Sequence, residues 1–96
     1  MVDKVRLLNE AAELISNDRN NEYGPPHKNF SDIARGWSVI FGRDVEMHEV
    51  ALAMDWVKTC RLLKTPAHED SWVDKAGYTA IGAELITEGI FRYGTE

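Results

Sequence analysis

The chain has 96 residues, 44% hydrophobic and 28% charged, which is room for one folded domain spanning 1–96 and is not the composition of a disordered tail. Its 16 acidic and 11 basic residues give a net charge of -5, which argues against direct nucleic-acid binding or an anionic membrane as the main partner. The single cysteine, Cys60, excludes an internal disulfide and a finger-type zinc site. No apolar run approaches the roughly 18 residues of a membrane span. The opening residues lead into a helical pattern rather than an apolar leader, so a cytoplasmic protein is expected.

The first predicted helix runs from about Lys4 to Asn17, with apolar positions at Val5, Leu8, Ala11, Ala12, Leu14 and Ile15 recurring at three and four. Asp3 is its expected N-cap. Residues 18–28 read as a polar loop stiffened by Gly24-Pro25-Pro26, a place to seek functional side chains. A second helix is predicted with Asn29 as cap and Asp32 at N3. Phe30, Ile33, Ala34, Trp37, Ile40 and Phe41 form its stripe and Gly42 closes it.

Asp44 is the expected cap of the third helix, which ends near Lys64. Met47, Val50, Ala51, Met54, Val57, Cys60 (or Arg61 beside it), Leu62 and Leu63 carry its apolar face, widened by Leu52 and Trp56. That breadth suits a central helix or a subunit interface. The fourth helix has two possible starts: Thr65 as cap with Pro66 at N1, or Ser71 as cap with Asp74 at N3. Val73, Gly77, Ala80, Ile81, Ala83 or Glu84, and Leu85 continue inward. Gly77 and Gly82 each cost about 1 kcal/mol against Ala, which close approach of a neighbouring helix would explain. Gly89 is the expected end. No strand alternation or repeat is present, so the fold class is all-α, a four-helix bundle, expected to be oligomeric.

Two polar constellations stand out. Asp70 and Asp74 are four apart and share a helical face under the early start. Two carboxylates held together suit Mg²⁺; under the late start, Asp74 is only a capping residue. Asp55, Lys58 and Arg61 follow at spacings of three on the third helix. Asp55 lies in an apolar neighbourhood, where a carboxylate is expected to be paired or to bind metal. Lys58 and Arg61 could hold phosphate oxygens, or Lys58 could simply pair with Asp55 along the helix. Glu49 could join a metal set, although a solvated acidic first turn explains it more cheaply. Among the histidines, His27 in the loop is the best candidate for a substrate contact. No HExxH, phosphate-binding glycine loop or nucleophile elbow occurs.

The segments Arg19-Asn-Asn-Glu-Tyr-Gly-Pro-Pro-His-Lys-Asn-Phe, Ala51-Leu-Ala-Met, Lys58-Thr-Cys-Arg-Leu and Asp70-Ser-Trp-Val-Asp-Lys-Ala-Gly-Tyr resemble a family of small uncharacterised phage and prophage proteins. More distantly, the chain resembles the all-α, MazG-like nucleoside triphosphate pyrophosphatases. One signature of those enzymes places Glu three before Asp and an aromatic four after it. Asp74 and Tyr78 match the Asp and the aromatic, whereas the Glu position falls on Ser71, with Asp70 one residue too early. Their first acidic motif is not intact; Glu46 and Glu49 keep only its outer spacing.

That resemblance implies a Mg²⁺-dependent nucleotide pyrophosphohydrolase, dimeric or of higher order, in the cytoplasm of a host cell. Asp55, Asp70 and Asp74, with Glu49, would hold the metal between the third and fourth helices. Lys58 and Arg61 would offset developing charge. Arg19, Tyr23, His27 and Lys28 would close over a bound nucleotide. The competing expectations are a non-enzymatic helical phage accessory protein and a nucleotide-binding regulator without catalysis.

Overall fold

The computed structural model of the chain describes residues 2–18 and 26–87, with side chains described over 2–16 and 28–87. Four α-helices make up the described part: α1 (Lys4–Glu13), α2 (Pro26–Phe41), α3 (Met47–Lys64) and α4 (Glu69–Thr87). The all-α, four-helix reading of the sequence therefore holds.

Asp3 caps α1 as anticipated: its Oδ2 accepts from the Arg6 N–H at 3.1 Å, satisfying one of the first-turn donors. The α-helix stops earlier than periodicity indicates. Leu14–Asp18 form a π-helical turn, a widened turn that stacks i→i+5 bonds.

α2 begins at Pro26, so Lys28 and Asn29 are helical rather than loop and cap. A proline that lacks an N–H fits the first turn of a helix, where no intrahelical partner for it exists. Asp32 is consequently not at N3; it pairs with Lys28 one turn back at 2.9 Å. Gly42, at φ 71°, closes α2 as expected, its N–H donating to the Ser38 carbonyl at 3.0 Å.

α3 starts two residues later than Asp44 would place it. Glu46 is its N-cap, and the Glu46 N–H donates to Glu49 Oε1 at 2.9 Å. The turn before it is fixed by buried Ser38: its Oγ donates to the Ala34 carbonyl and accepts from the Val45 N–H, each at 2.8 Å.

α4 starts between the two anticipated points. Thr65 ends α3 through its N–H to Arg61 O, and the His68 N–H bonds Thr65 O at 3.1 Å to complete a tight reversal. The Pro66 carbonyl accepts from Trp72 Nε1 at 2.8 Å. Ser71 is thus the third residue of α4, not its cap. Its side chain is fully buried and lies 2.8 Å from His68 Nδ1.

The short connection makes α3 and α4 an antiparallel hairpin, and theirs is the most extensive helix pairing. The two glycines of α4 admit different neighbours, Gly82 the facing helix α3 and Gly77 the turn that follows α1. A Cβ on Gly82 would sit 3.0 Å from Ala51 Cβ, and one on Gly77 would sit 3.1 Å from Ile15 Cγ2. Close approach of neighbours therefore accounts for both. α2 covers one end of the hairpin, and Phe30, Ala34, Val45, Met47, Val50, Ala51, Ile81 and Leu85 form the core there. Burial of a side chain such as Met47 or Val50 stabilises the fold by about 1.5–3 kcal/mol each. α1 lies against α4, tied by Arg6 Nη2 to Glu69 Oε2 at 2.9 Å.

Not every predicted apolar position is inward. Val5, Leu8, Ile40, Phe41, Val57 and Leu63 are exposed, as are Leu52 and Trp56. A three–four spacing specifies a stripe but does not say whether another part of the same chain covers it.

Candidate functional site

The polar residues of the α3–α4 interface meet in a crossed arrangement. Lys75 Nζ on α4 donates to Asp55 Oδ1 on α3 at 2.6 Å and to Thr59 Oγ1 at 2.6 Å. Lys58 Nζ on α3 lies 3.0 Å from Asp74 Oδ2 on α4. Each helix thus supplies one acid and one base. Thr59 is fixed in turn by its hydroxyl, which donates to the Asp55 carbonyl at 3.2 Å.

The sequence explains the crossing. Adjacent residues of a helix diverge, so Asp74 and Lys75 do not face each other. In an antiparallel hairpin each meets a different turn of α3, and the turns there carry Asp55 and Lys58. The four side chains are only 17–29% exposed. Charges in such a place must be matched to remain ionised at low cost. Asp55 is therefore paired as expected, with Lys75 rather than with Lys58.

The other sequence candidates are dispersed. Asp70 is exposed in the first turn of α4, where a negative charge complements the helix dipole. Arg61 is exposed in the last turn of α3. Lys28 is held by Asp32 on α2. Glu49 sits at the opposite end of α3 from Arg61, with Arg43 Nη1 at 3.3 Å from its Oε1. The Glu46 N–H, followed by Arg43, holds the Glu49 carboxyl below its ordinary pKa, against an opposing contribution from burial. Arg19, Tyr23 and the His27 side chain lie outside the described residues. Lys75 was the member that sequence reasoning missed; its signal was the acid–base order 55, 58 on one helix against 74, 75 on the next.

As placed, this donor set does not fit the Mg²⁺ that the pyrophosphatase resemblance implies. Mg²⁺ takes carboxylate, phosphate and water oxygens at close to 2 Å in octahedral order. Here an ammonium group already neutralises each carboxylate of the interface. Among the described residues, no three His, Cys, Asp or Glu side chains converge on one point.

Two apolar concavities lie on the surface, one of them beside Asp55. One, of about 330 Å³, runs between α3 and α4 and is lined by Leu52, Ala51, Tyr78, Gly82 and Ile86, with His48 and Asp55 at its edges. The other, of about 740 Å³, lies where α1 meets the α3–α4 connection and includes Leu8, Pro66 and Trp72. No helix among the described residues is long and apolar enough to cross a membrane.

A hairpin-centred helical domain, its interior charges matched in pairs and its outer faces rich in large apolar side chains, is the class of protein that fold and site define. The chain belongs to the family described as Domain of unknown function (DUF6378), whose model matches residues 6–86. It is similar to "Gene 55 protein" of Mycobacterium phage D29, 36% identical over 84 residues that cover 88% of this chain and 56% of that relative. It is also similar to "Gene 55 protein" of Mycobacterium phage L5, 34% identical over 77 residues, 78% of this chain and 49% of that one. The chain thus spans about half the length of the curated relatives it matches. No solved structure matches it. The resemblance to a small phage protein family is therefore established.

Proposed function

We propose that this domain is a non-catalytic helical accessory protein of phage origin that works by apolar association, not by nucleotide hydrolysis. The single observation that carries the reading is the crossed pairing of Asp55 with Lys75 and Asp74 with Lys58. It commits the interior carboxylates to joining α3 to α4. Chemistry at Asp74 would require Lys58 to leave and expose a partly desolvated charge. Meanwhile Leu52, Trp56 and Leu63 face outward on α3, and Val39, Ile40 and Phe41 on α2. Large apolar side chains grouped on a surface mark contact sites.

The test is pyrophosphate release from a panel of standard and modified deoxynucleoside triphosphates, with and without Mg²⁺. The reading predicts no metal-dependent release above buffer. Release that disappears in Asp74→Asn, with folding unchanged, would overturn it in favour of the MazG-like pyrophosphohydrolase.

A further inference from the structure

We infer that the outer face of α3 docks against α3 of a second copy of this chain, with the two helices antiparallel about a two-fold axis near the middle of the helix. The inference rests on the association reading above and names its partner and geometry.

Leu52, Trp56, Cys60 and Leu63 are spaced by four, four and three, and at 3.6 residues per turn they fall within about a quarter of the helix circumference. All four are exposed; Leu52, Trp56 and Leu63 stand at 63%, 65% and 77%. Met47, Val50, Ala51 and Leu62 point the other way, into the protein. A helix apolar on both sides is one that is covered on both sides.

Three features select a second copy of α3 as the cover. The first is the spacing itself. It is close to palindromic, so reversing one helix sets Leu52 against Leu63 of the partner subunit and Trp56 against Cys60 of the partner subunit. An isologous contact needs that self-complementarity. The second is the helix dipole: antiparallel packing opposes the two dipoles, whereas parallel packing sets like ends side by side. The third is area. Trp56 and the two leucines with their neighbours present on the order of 500 Å² per protomer, so a pair buries roughly 1,000 Å², the lower bound for a specific interface. The core of the contact would be a tryptophan, a residue type enriched in binding hot spots.

Sedimentation equilibrium on the full chain provides the test, with far-ultraviolet circular dichroism confirming that each variant keeps its helix content. The expected result is a monomer–dimer equilibrium in which Trp56→Glu and Leu63→Glu each raise the dissociation constant about 30-fold or more. Val39→Glu, at an equally exposed apolar position on α2, should leave it unchanged. Geometry is read by mixing Leu52→Cys/Cys60→Ser with Leu63→Cys/Cys60→Ser and adding a short bis-thiol reagent. Cross-links between the two different variants should prevail over links within either one. Three results would overturn the pairing: a wild-type monomer at about 100 µM, a dimer indifferent to both α3 charges, or predominant 52–52 and 63–63 links. Any of these without pyrophosphate release would remove this partner while leaving the non-catalytic reading standing.

Discussion

Removing the carboxylate of Asp74 is expected to destabilise the domain by about 2 kcal/mol, because Lys58 would be left as an unmatched, partly buried charge. At 3.0 Å the gross attraction is about 5 kcal/mol with an effective dielectric near 20. Desolvation opposes it, since the two side chains retain only 17% and 26% of their exposure. The net worth of the pair is then about 1 kcal/mol, and the larger cost of a single deletion comes from the orphaned partner. Lys58→Met keeps the alkyl stem against its neighbours and should cost about 1–2 kcal/mol. Combined with Asp74→Asn, it should cost less than the two separate losses together, by about 1 kcal/mol of coupling. Urea unfolding followed by tryptophan fluorescence in metal-free buffer gives all three differences. In a domain of this size Asp74→Asn should lower Tm by roughly 10 °C. The opposite sign would refute the reasoning: two carboxylates poised for a cation repel each other without it, so Asp74→Asn would then stabilise the metal-free protein.

Other consequences concern single positions. Gly82→Ala gains about 1 kcal/mol in helix propensity, but its Cβ would meet Ala51 Cβ at 3.0 Å. Neither methyl can rotate away, and overpacking costs about 1–3 kcal/mol, so chemical denaturation should show a net loss; a gain would mean that α3 and α4 yield freely. Ser38→Ala removes the acceptor of the Val45 N–H and should cost about 1–2 kcal/mol by the same measurement. The Glu49 carboxyl is held below its ordinary pKa in the folded state. Its contribution is therefore complete above the unfolded value of about 4.3 and is lost as pH falls through the lower folded value. Glu49→Gln should flatten the loss of stability between about pH 5 and 3, seen in urea midpoints across that range.

Much of the architecture was legible because it is locally encoded. Asp3 and Gly42 end their helices through their own side chain or backbone, and Val73, Gly77, Ile81 and Leu85 mark the inner face of α4, whereas Ala80, Ala83 and Glu84, expected beside them, are exposed. The start of α3 was not, because Asp44 and Glu46 both precede the apolar run and the choice depends on Arg43 and Ser38 fixing the turn. α4 begins at Glu69 because the reversal is built from backbone bonds and the Trp72 indole rather than from a Ser or Thr cap.

The site was half legible for a similar reason. Asp55, Lys58 and Asp74 were singled out by charge in apolar surroundings, and they do meet. What they do there depends on Lys75, whose position beside Asp74 in sequence conceals that it faces a different residue across the interface. Spacing along one helix cannot register two helices against each other. The apolar stripe of α3 carried the converse ambiguity: Leu52 and Trp56 widen a face that is exposed among the described residues.

The central claim, that Asp55 and Asp74 are matched by lysines and not kept for a cation, is tested most directly by nuclear magnetic resonance with substoichiometric Mn²⁺. Amide signals of the ¹⁵N-labelled chain should show no localised paramagnetic broadening around residues 55–59 and 74–75. Broadening centred on those residues, reversed by excess Mg²⁺ and absent in Asp74→Asn, would contradict it.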